Sequence, residues 1–504
     1  MIPLQECSPA SREFEDLPMV KATGFREYDA RWWIGFPGNS RAPEINLVGV
    51  SAIGEAIGTL LSELGVLPRV VVGHDYRSYS LAVKTALAQG LVSSGCEVLD
   101  IGLALSPMAY FAQFHLDVPA VAMVTASHNE NGWTGIKMGC DRPVTFGPSE
   151  MSRLKEIVLA GISVARPGGS FRRVKGLFDA YRKDLAGGRK LSRRIKAVCA
   201  CGNGTAGAFA PSILEDLGVE VVPLHVELDS SFPNHNPNPE DMAMLHTISR
   251  KVVETGADIG FGFDGDGDRC GIVDNAGNEI FSDKIGVLLA RHMASEDPGA
   301  RFVVDVKSTC LFDTDPVLAG LGARTDYFKT GHSYIKSRVR DLGATAGFEK
   351  SGHFFFAGRY GRGYDDALVT ARTVLEMLAR NPSTSLAEMY ASLPTTWGSP
   401  TMSAECPDET KYGVVDRAVR QIVSMSEAGE PLAGSRIVSV NTINGVRVQT
   451  EDGTWGLIRA SSNKPEIVVV VESPVSETRS REIFADLDRI LRADGNVGPY
   501  NQTL

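Results

Sequence analysis

The 504-residue sequence predicts an α/β protein, with three similar α/β domains of mixed, mainly parallel sheets followed by a smaller C-terminal α+β domain. Three observations predict it. One construction recurs three times with little identity, each copy ends in a polar loop rich in chemistry, and the texture of the chain changes near residue 396. Length agrees, since domains of about 100–200 residues imply roughly three to five of them.

Each copy opens with an apolar run that ends in a polar or glycine turn. The runs are Arg69-Val-Val-Val-Gly-His-Asp75, Ala197-Val-Cys-Ala-Cys-Gly-Asn203 and Phe302-Val-Val-Asp-Val-Lys-Ser308. A helix-compatible stretch leads from each to a second strand at Cys96–Asp100, Val219–Pro223 or Ala323–Tyr327. A third apolar segment follows at Ala120–Thr125, Ala257–Phe263 or Ala344–Phe348. Short apolar runs alternating with helices indicate parallel sheets covered on both faces. Linkers at Ala165–Ser170 and Leu393–Pro400 help set domain limits of 1–170, 171–280, 281–395 and 396–504. The last segment reads as a helix near Lys411–Ser424, strands at Gly445–Gln449 and Ile467–Glu472, and a helix near Glu477–Ala493. The first twenty residues and the last ten read as loosely ordered.

Composition excludes several classes. With 61 acidic against 51 basic residues, the net charge of −10 gives no general attraction to nucleic acid or anionic membrane. The eight cysteines form neither a zinc knuckle nor a CxxC pair, which suits reduced thiols in a cytoplasmic protein. The N-terminus lacks a signal-peptide pattern, and no apolar run approaches the roughly 20 residues that span a bilayer.

Ligands gather beyond the carboxyl ends of the strands in such folds, so the loops after the third strands should carry the chemistry. One reads Asp264-Gly-Asp-Gly-Asp-Arg269. Three alternating carboxylates repel one another unless a cation sits among them, and an oxygen-only donor set suits Mg²⁺. An EF-hand would need glycine at Arg269 and glutamate at Asn275; a solvated acidic turn is the plainer alternative. Arg269 beside the ion makes sense if an anion is gripped there.

Ser127 lies in Thr125-Ala-Ser-His-Asn129, which lacks the glycines of a hydrolase elbow. Alone it reads as a turn or cap residue; beside a metal loop it suits phosphoryl transfer, with Lys137 returning to the same phosphate or to the reacting hydroxyl. Glu349, Ser351 and His353 alternate, so an extended backbone would turn them toward one sugar, with His353 of the right type for acid–base work. Lys329 and His332 end the neighbouring strand. Arg459-Ala-Ser-Ser-Asn-Lys-Pro465 holds the inventory of a phosphate cradle, or of an ordinary polar turn.

Four loops in this order resemble the α-D-phosphohexomutase superfamily, in its bacterial phosphomannomutase/phosphoglucomutase branch, from about Gly24 to the end. The resemblance implies four domains around a central active-site cleft. It implies a phosphoserine at Ser127, which also binds the metal, and Mg²⁺ ligands at Asp264, Asp266 and Asp268. It places Arg26 and Lys137 at the transferring phosphate, and His353, Lys329 and His332 in the active site. Glu349 and Ser351 become sugar readers, and Arg459, Ser461, Ser462 and Asn463 hold the non-reacting phosphate. The expected activity interconverts mannose 6-phosphate and mannose 1-phosphate through a hexose 1,6-bisphosphate, in a monomer or homodimer. Competing expectations are a dual or glucose-specific mutase, a glucosamine-phosphate mutase, a metal-dependent phosphatase and a silent sugar-phosphate binder. Lys137 or His353 is expected to shuttle the proton, and a mobile last domain to admit the sugar. Departures from the family pattern fall at Glu130, Thr134, Phe348, Ser462–Lys464 and Trp32–Phe36.

Overall fold

Sheets form where the apolar runs predict them, and the computed structural model describes residues 9, 11–493, 495–502 and 504. These divide into two compact units: residues up to Phe281 together with Gly352–Ala387, and Ser282–Ser351 together with Glu388–Leu504.

In the first unit a six-stranded sheet runs in the order Asp29–Trp33, Trp133–Gly139, Ala120–Val124, Arg69–His74, Glu97–Leu103, Ser170–Arg173. Its first two pairings are antiparallel and the other three parallel. Ala120–Val124 is buried at every position, as a strand covered on both faces must be. On one face the helices Leu47–Glu63 and Ser80–Ser93 cross closely. A Cβ at Gly90 would stand 1.9 Å from the Ser51 carbonyl, so glycine is required there.

A second sheet orders Glu279–Ile280, Cys270–Asp274, Ile259–Phe263, Ile195–Ala200 and Val219–Leu224. Ile259–Phe263 and Cys270–Asp274 form a hairpin in which Phe263 faces Cys270, so Asp264–Arg269 is its closing loop. The hairpin fixes the three aspartates between two buried strands.

The described part of the N-terminal segment is tied down. Ser11 caps the helix Arg12–Asp16, Met19 N–H donates to Asn46 Oδ1 at 3.0 Å, and Val20 is fully buried. At the other end Tyr500 bridges Ala404, and its hydroxyl donates to Asp488 at 2.9 Å. Loose ordering is therefore wrong for these stretches, because apolar and amide anchors outweigh their terminal position. Residues 1–8 and 10 lie outside the described residues.

The stretch 281–395 is shared, with Ser282–Ser351 in the second unit and Gly352–Ala387 in the first. In the second unit Arg301–Asp305 pairs in parallel with Arg324–Phe328 and Ala346–Phe348. The C-terminal sheet is antiparallel, built on Glu466–Ser473, Trp455–Ala460, Val446–Thr450 and Ser435–Asn441. The helices Lys411–Ala428 and Glu477–Arg492 cover one face through Val414, Ile422, Ile483 and Leu487. On the other face Trp455, Leu457, Val468 and Val470 pack against Val306 and Cys310.

That second face is also pinned by charge. Glu472 Oε1 accepts from Lys284 Nζ at 2.5 Å, from Thr309 Oγ1 at 2.8 Å and from Thr396 Oγ1; Oε2 accepts from Trp455 Nε1 at 2.9 Å. Burial pushes the Glu472 carboxyl up, but the Lys284 charge, the hydrogen bonds from Lys284 and Thr396 and the Lys350 charge together outweigh it and hold the group well below the usual range. The last domain is thus packed against Ser282–Ser351 inside one unit.

Glu472→Gln would leave the buried Lys284 ammonium without its counter-charge and is expected to cost about 3–5 kcal/mol. Because the folded carboxyl is depressed, its contribution is full above the ordinary glutamate range and fades as pH falls toward the folded value. Urea unfolding at pH 7 and pH 4 checks this. Equal midpoints for variant and wild type at pH 7 would discard the ion pair as a support.

Candidate active site

The serine and aspartate loops meet in the first unit. Ser127 is 3% exposed, adopts φ of +53°, and its Oγ donates to Asp264 Oδ2 at 3.0 Å. The approach requires glycine at 265, because a Cβ there would stand 2.3 Å from the Ser127 carbonyl oxygen. Asp264 Oδ1 accepts from the Asp268 and Arg269 amides at 3.0 and 3.1 Å, which folds the loop back on itself. Asp266 Oδ2 accepts from Ser106 Oγ at 2.5 Å, Thr125 Oγ1 at 3.1 Å and Lys137 Nζ at 2.8 Å. Lys137 Nζ also donates to Asp268 Oδ2.

The charges in this cluster bias one another. Burial raises the Asp264 carboxyl well above its ordinary range, and the neighbouring Asp268 and Asp266 charges add to the effect. Burial acts on Asp266 too, but Lys137 outweighs it and holds that carboxyl far below the usual range. The same pairing, against the cost of burial, keeps the Lys137 ammonium protonated well above the ordinary lysine range.

The residues fit a hard divalent cation. One oxygen from each of Asp264, Asp266 and Asp268 lies within 4.8 Å of the others, and all three side chains are fully buried. Asp266 Oδ1 and Asp268 Oδ1 have no hydrogen-bond partner among the described residues. Buried carboxylate oxygens without donors are costly unless a cation meets them.

Arg269 and His353 are joined directly. Arg269 Nε donates to His353 Nε2 at 2.8 Å, Arg269 Nη1 pairs with Glu240 at 3.1 Å, and the two backbones form a bridge. His353 Nδ1 lies 2.9 Å from Asp365 and 3.7 Å from Asp268. A guanidinium only donates, so Nε2 is an acceptor and a neutral ring carries its proton on Nδ1. His353 Nε2 is thus engaged by Arg269, and Lys137 Nζ by Asp266 and Asp268. Arg26 sits in a turn closed by its amide on the Asp29 carbonyl at 2.9 Å, and Asp29 faces Lys137 across the strand pair.

The second unit gathers the remaining residues. Glu349 accepts from the Gly331 amide at 2.6 Å and from Ser351 Oγ at 3.1 Å, which joins these two residues to the loop of Lys329 and His332. The Lys329 ammonium lies 5.5 Å from the Tyr334 ring centroid, and His332 is buried at the start of the helix His332–Leu342. Asn444 Oδ1 accepts from Thr330 N at 3.2 Å and from Arg459 Nε at 2.9 Å, so one amide ties that loop to the cradle. Arg459 Nη2 donates to Ser462 Oγ at 3.1 Å, and Ser461 Oγ accepts from the Lys464 amide at 3.2 Å. Asn463 belongs to the same turn. The backbone from Glu349 to His353 does not stay extended. It turns at Lys350 and Ser351, Gly352 takes φ of +92°, and His353 falls in the first unit.

Sequence reasoning missed Arg31, Ser106, Glu240, Asp365, Asn444 and Lys411. Buried Arg31 pairs with Asp29 at 2.8 Å and donates to the Thr125 carbonyl. Lys411 Nζ donates to the Ser461 and Lys464 carbonyls at 2.6 and 2.9 Å. A buried lysine or arginine has no local sequence signature, apart from being a charge within an apolar stretch.

Comparison with known proteins identifies the family. Family models match the chain in order: phosphoglucomutase/phosphomannomutase alpha/beta/alpha domains I, II and III at residues 23–164, 179–277 and 281–397, and the C-terminal domain at 405–490. A phosphomannomutase/phosphoglucomutase of Pseudomonas putida is 35% identical over 91% of this chain and 94% of its own length. A phosphoglucomutase of Neisseria gonorrhoeae is 34% identical over 84% of this chain and 88% of its own. The crystal structure of a phosphoglucomutase/phosphomannomutase family protein from Burkholderia thailandensis superposes with a TM-score of 0.82 at 31% identity, covering 96% of this chain and all of that one. With every domain matched in sequence and relatives similar along nearly the whole length, the chain belongs to the phosphoglucomutase/phosphomannomutase family of phosphohexomutases.

Proposed function

We propose that the protein interconverts the 6- and 1-phosphates of mannose and glucose, with Ser127 as the phosphoryl carrier and a hexose 1,6-bisphosphate as intermediate. The observation that carries this reading is the Ser127 hydroxyl, 3.0 Å from a buried carboxylate in an all-oxygen cluster flanked by Lys137 and Arg269. The putida relative is named for both sugars and the Neisseria relative for glucose, which favours the dual activity over one confined to mannose.

In the forward half-reaction the bond from phosphorus to Ser127 Oγ breaks and a bond to a sugar hydroxyl oxygen forms. The proton lost by that hydroxyl ends, in the net balance, on Ser127 Oγ. Turning the bisphosphate over and reversing the step returns the other phosphate to the serine. Asp264, Asp266 and Asp268 would hold Mg²⁺, which when bound stabilises charge on the phosphoryl oxygens. Lys137, fixed as a cation, and Arg269, fixed by Glu240 and His353, add positive charge where the migrating group carries most negative charge. In the second unit Arg459, Ser461, Ser462 and Asn463 bind the phosphate that is not being transferred, and Glu349 and Ser351 accept from sugar hydroxyls. Seven described cysteines are free thiols, which suits a reducing compartment such as the cytoplasm.

The test is turnover of mannose 1-phosphate, glucose 1-phosphate and glucosamine 1-phosphate with Mg²⁺ and glucose 1,6-bisphosphate. The first two are expected to isomerise at comparable rates, with little free phosphate. Phosphate as the main product would make the protein a phosphatase, and binding without turnover a silent binder. Fastest turnover of the amino sugar would reassign its specificity.

A further inference from the structure

Four consecutive carbonyls of the serine loop are held by two side chains that the mechanism does not use. Arg77 Nη2 donates to the Ser127 and Asn129 carbonyls at 3.0 and 2.7 Å, and Nη1 donates to the Glu130 carbonyl at 2.9 Å. Asn236 Nδ2 donates to the remaining one, at His128, at 2.8 Å. The guanidinium is itself fixed, because its Nε reaches Asp75 Oδ2 at 3.2 Å and the Phe232 ring lies 5.2 Å away. Asp75 also accepts from Ser80 Oγ at 2.5 Å and from the Ala126 amide at 3.2 Å. The Arg77 side chain is 1% exposed, so this fork faces no solvent.

Ser127 meanwhile adopts a left-handed backbone that non-glycine residues rarely take. Something must over-determine that conformation, and a planar fork with five donors is suited to it. We propose that Arg77 is the positioning residue of the phosphoryl-carrying serine. By binding three carbonyls it holds the backbone from which Ser127 Oγ reaches Asp264. Arg77 touches no reacting atom; it fixes where the accepting oxygen stands. The inference rests on the reading of Ser127 as carrier.

A lysine at 77 has a single nitrogen and cannot span three carbonyls, so Arg77→Lys should fail almost as badly as Arg77→Ala. Both are expected to lose about a hundredfold in kcat with KM within about twofold, since displacing a reacting group by about an ångström costs that much. Phosphorylation of the enzyme by glucose 1,6-bisphosphate, followed by intact mass, should slow in parallel. Millimolar guanidinium added to Arg77→Ala should restore part of kcat, which a loss of fold alone would not allow. Wild-type kcat in either variant, or a kcat loss that guanidinium leaves untouched in a protein that still melts cooperatively, would overturn the proposal. If Arg77→Ala does not fold, the kcat of Arg77→Lys decides. Ser127→Ala run alongside separates the two ideas. Activity in that variant sinks the carrier reading, whereas an inactive Ser127→Ala beside fully active Arg77 variants sinks only the positioning role.

Discussion

Ser127→Ala is expected to lower mutase kcat by at least about a thousandfold and to abolish the added phosphate in the intact mass after exposure to glucose 1,6-bisphosphate. Among the described residues, the other two hydroxyls bonded to the aspartate cluster address a different carboxylate from the one Ser127 meets. Thr125 and Ser106 both spend their hydrogens on Asp266 Oδ2, at 3.1 and 2.5 Å. A second variant separates chemistry from folding. Ser127→Gly is equally deprived of the hydroxyl, yet glycine accepts φ of +53° without steric cost, so its melting temperature should equal or exceed that of wild type. Inactivity together with undiminished stability would locate the defect in the missing oxygen. Retained mutase activity in either variant would remove Ser127 from the mechanism.

Asp266→Asn is the second substitution with a large expected effect. The change keeps the shape of the side chain but removes the charge that balances Lys137, whose side chain is 2% exposed. Asp268 alone would then face that ammonium, and a loss of about 3 kcal/mol in stability is expected. Activity should fall by about a thousandfold, because the cluster loses one of three anionic donors. The cleaner readout is the effect of Mg²⁺ on the melting temperature. A cation that binds only the folded state stabilises it by mass action, so wild type should melt higher with millimolar Mg²⁺ and the variant should not. An equal upward shift in Asp266→Asn would mean that the ion binds elsewhere.

The three-strand rhythm was legible in the sequence because strands buried on both faces need unbroken apolar runs, and such runs stand out at Ala120–Val124 and Ile259–Phe263. The aspartate triplet was legible for a different reason, since three carboxylates in five residues conflict locally unless something resolves them. Partners distant in sequence were not legible. Ser106 lies 160 positions from Asp266, and nothing near either residue announces the pairing. Arg77 reads as one polar residue in a turn until the fold brings loop carbonyls round it. The alternation Glu349, Ser351, His353 presumes a straight backbone, and the bend at Gly352 has no counterpart in that pattern. The tails misled because position in the chain says nothing of anchors such as Asn46.

Lys411 gives the cradle of the second unit an electrical polarity. In a trans peptide the carbonyl and the following amide point in opposite directions. With the Ser461 oxygen drawn to the buried lysine ammonium, the Ser462 N–H points the opposite way, while the Ser462 hydroxyl oxygen accepts from the Arg459 guanidinium. That one peptide thus turns the positive end of its dipole away from the lysine while its negative end is neutralised. A phosphate bound there as proposed would meet that amide as well as the Arg459 guanidinium.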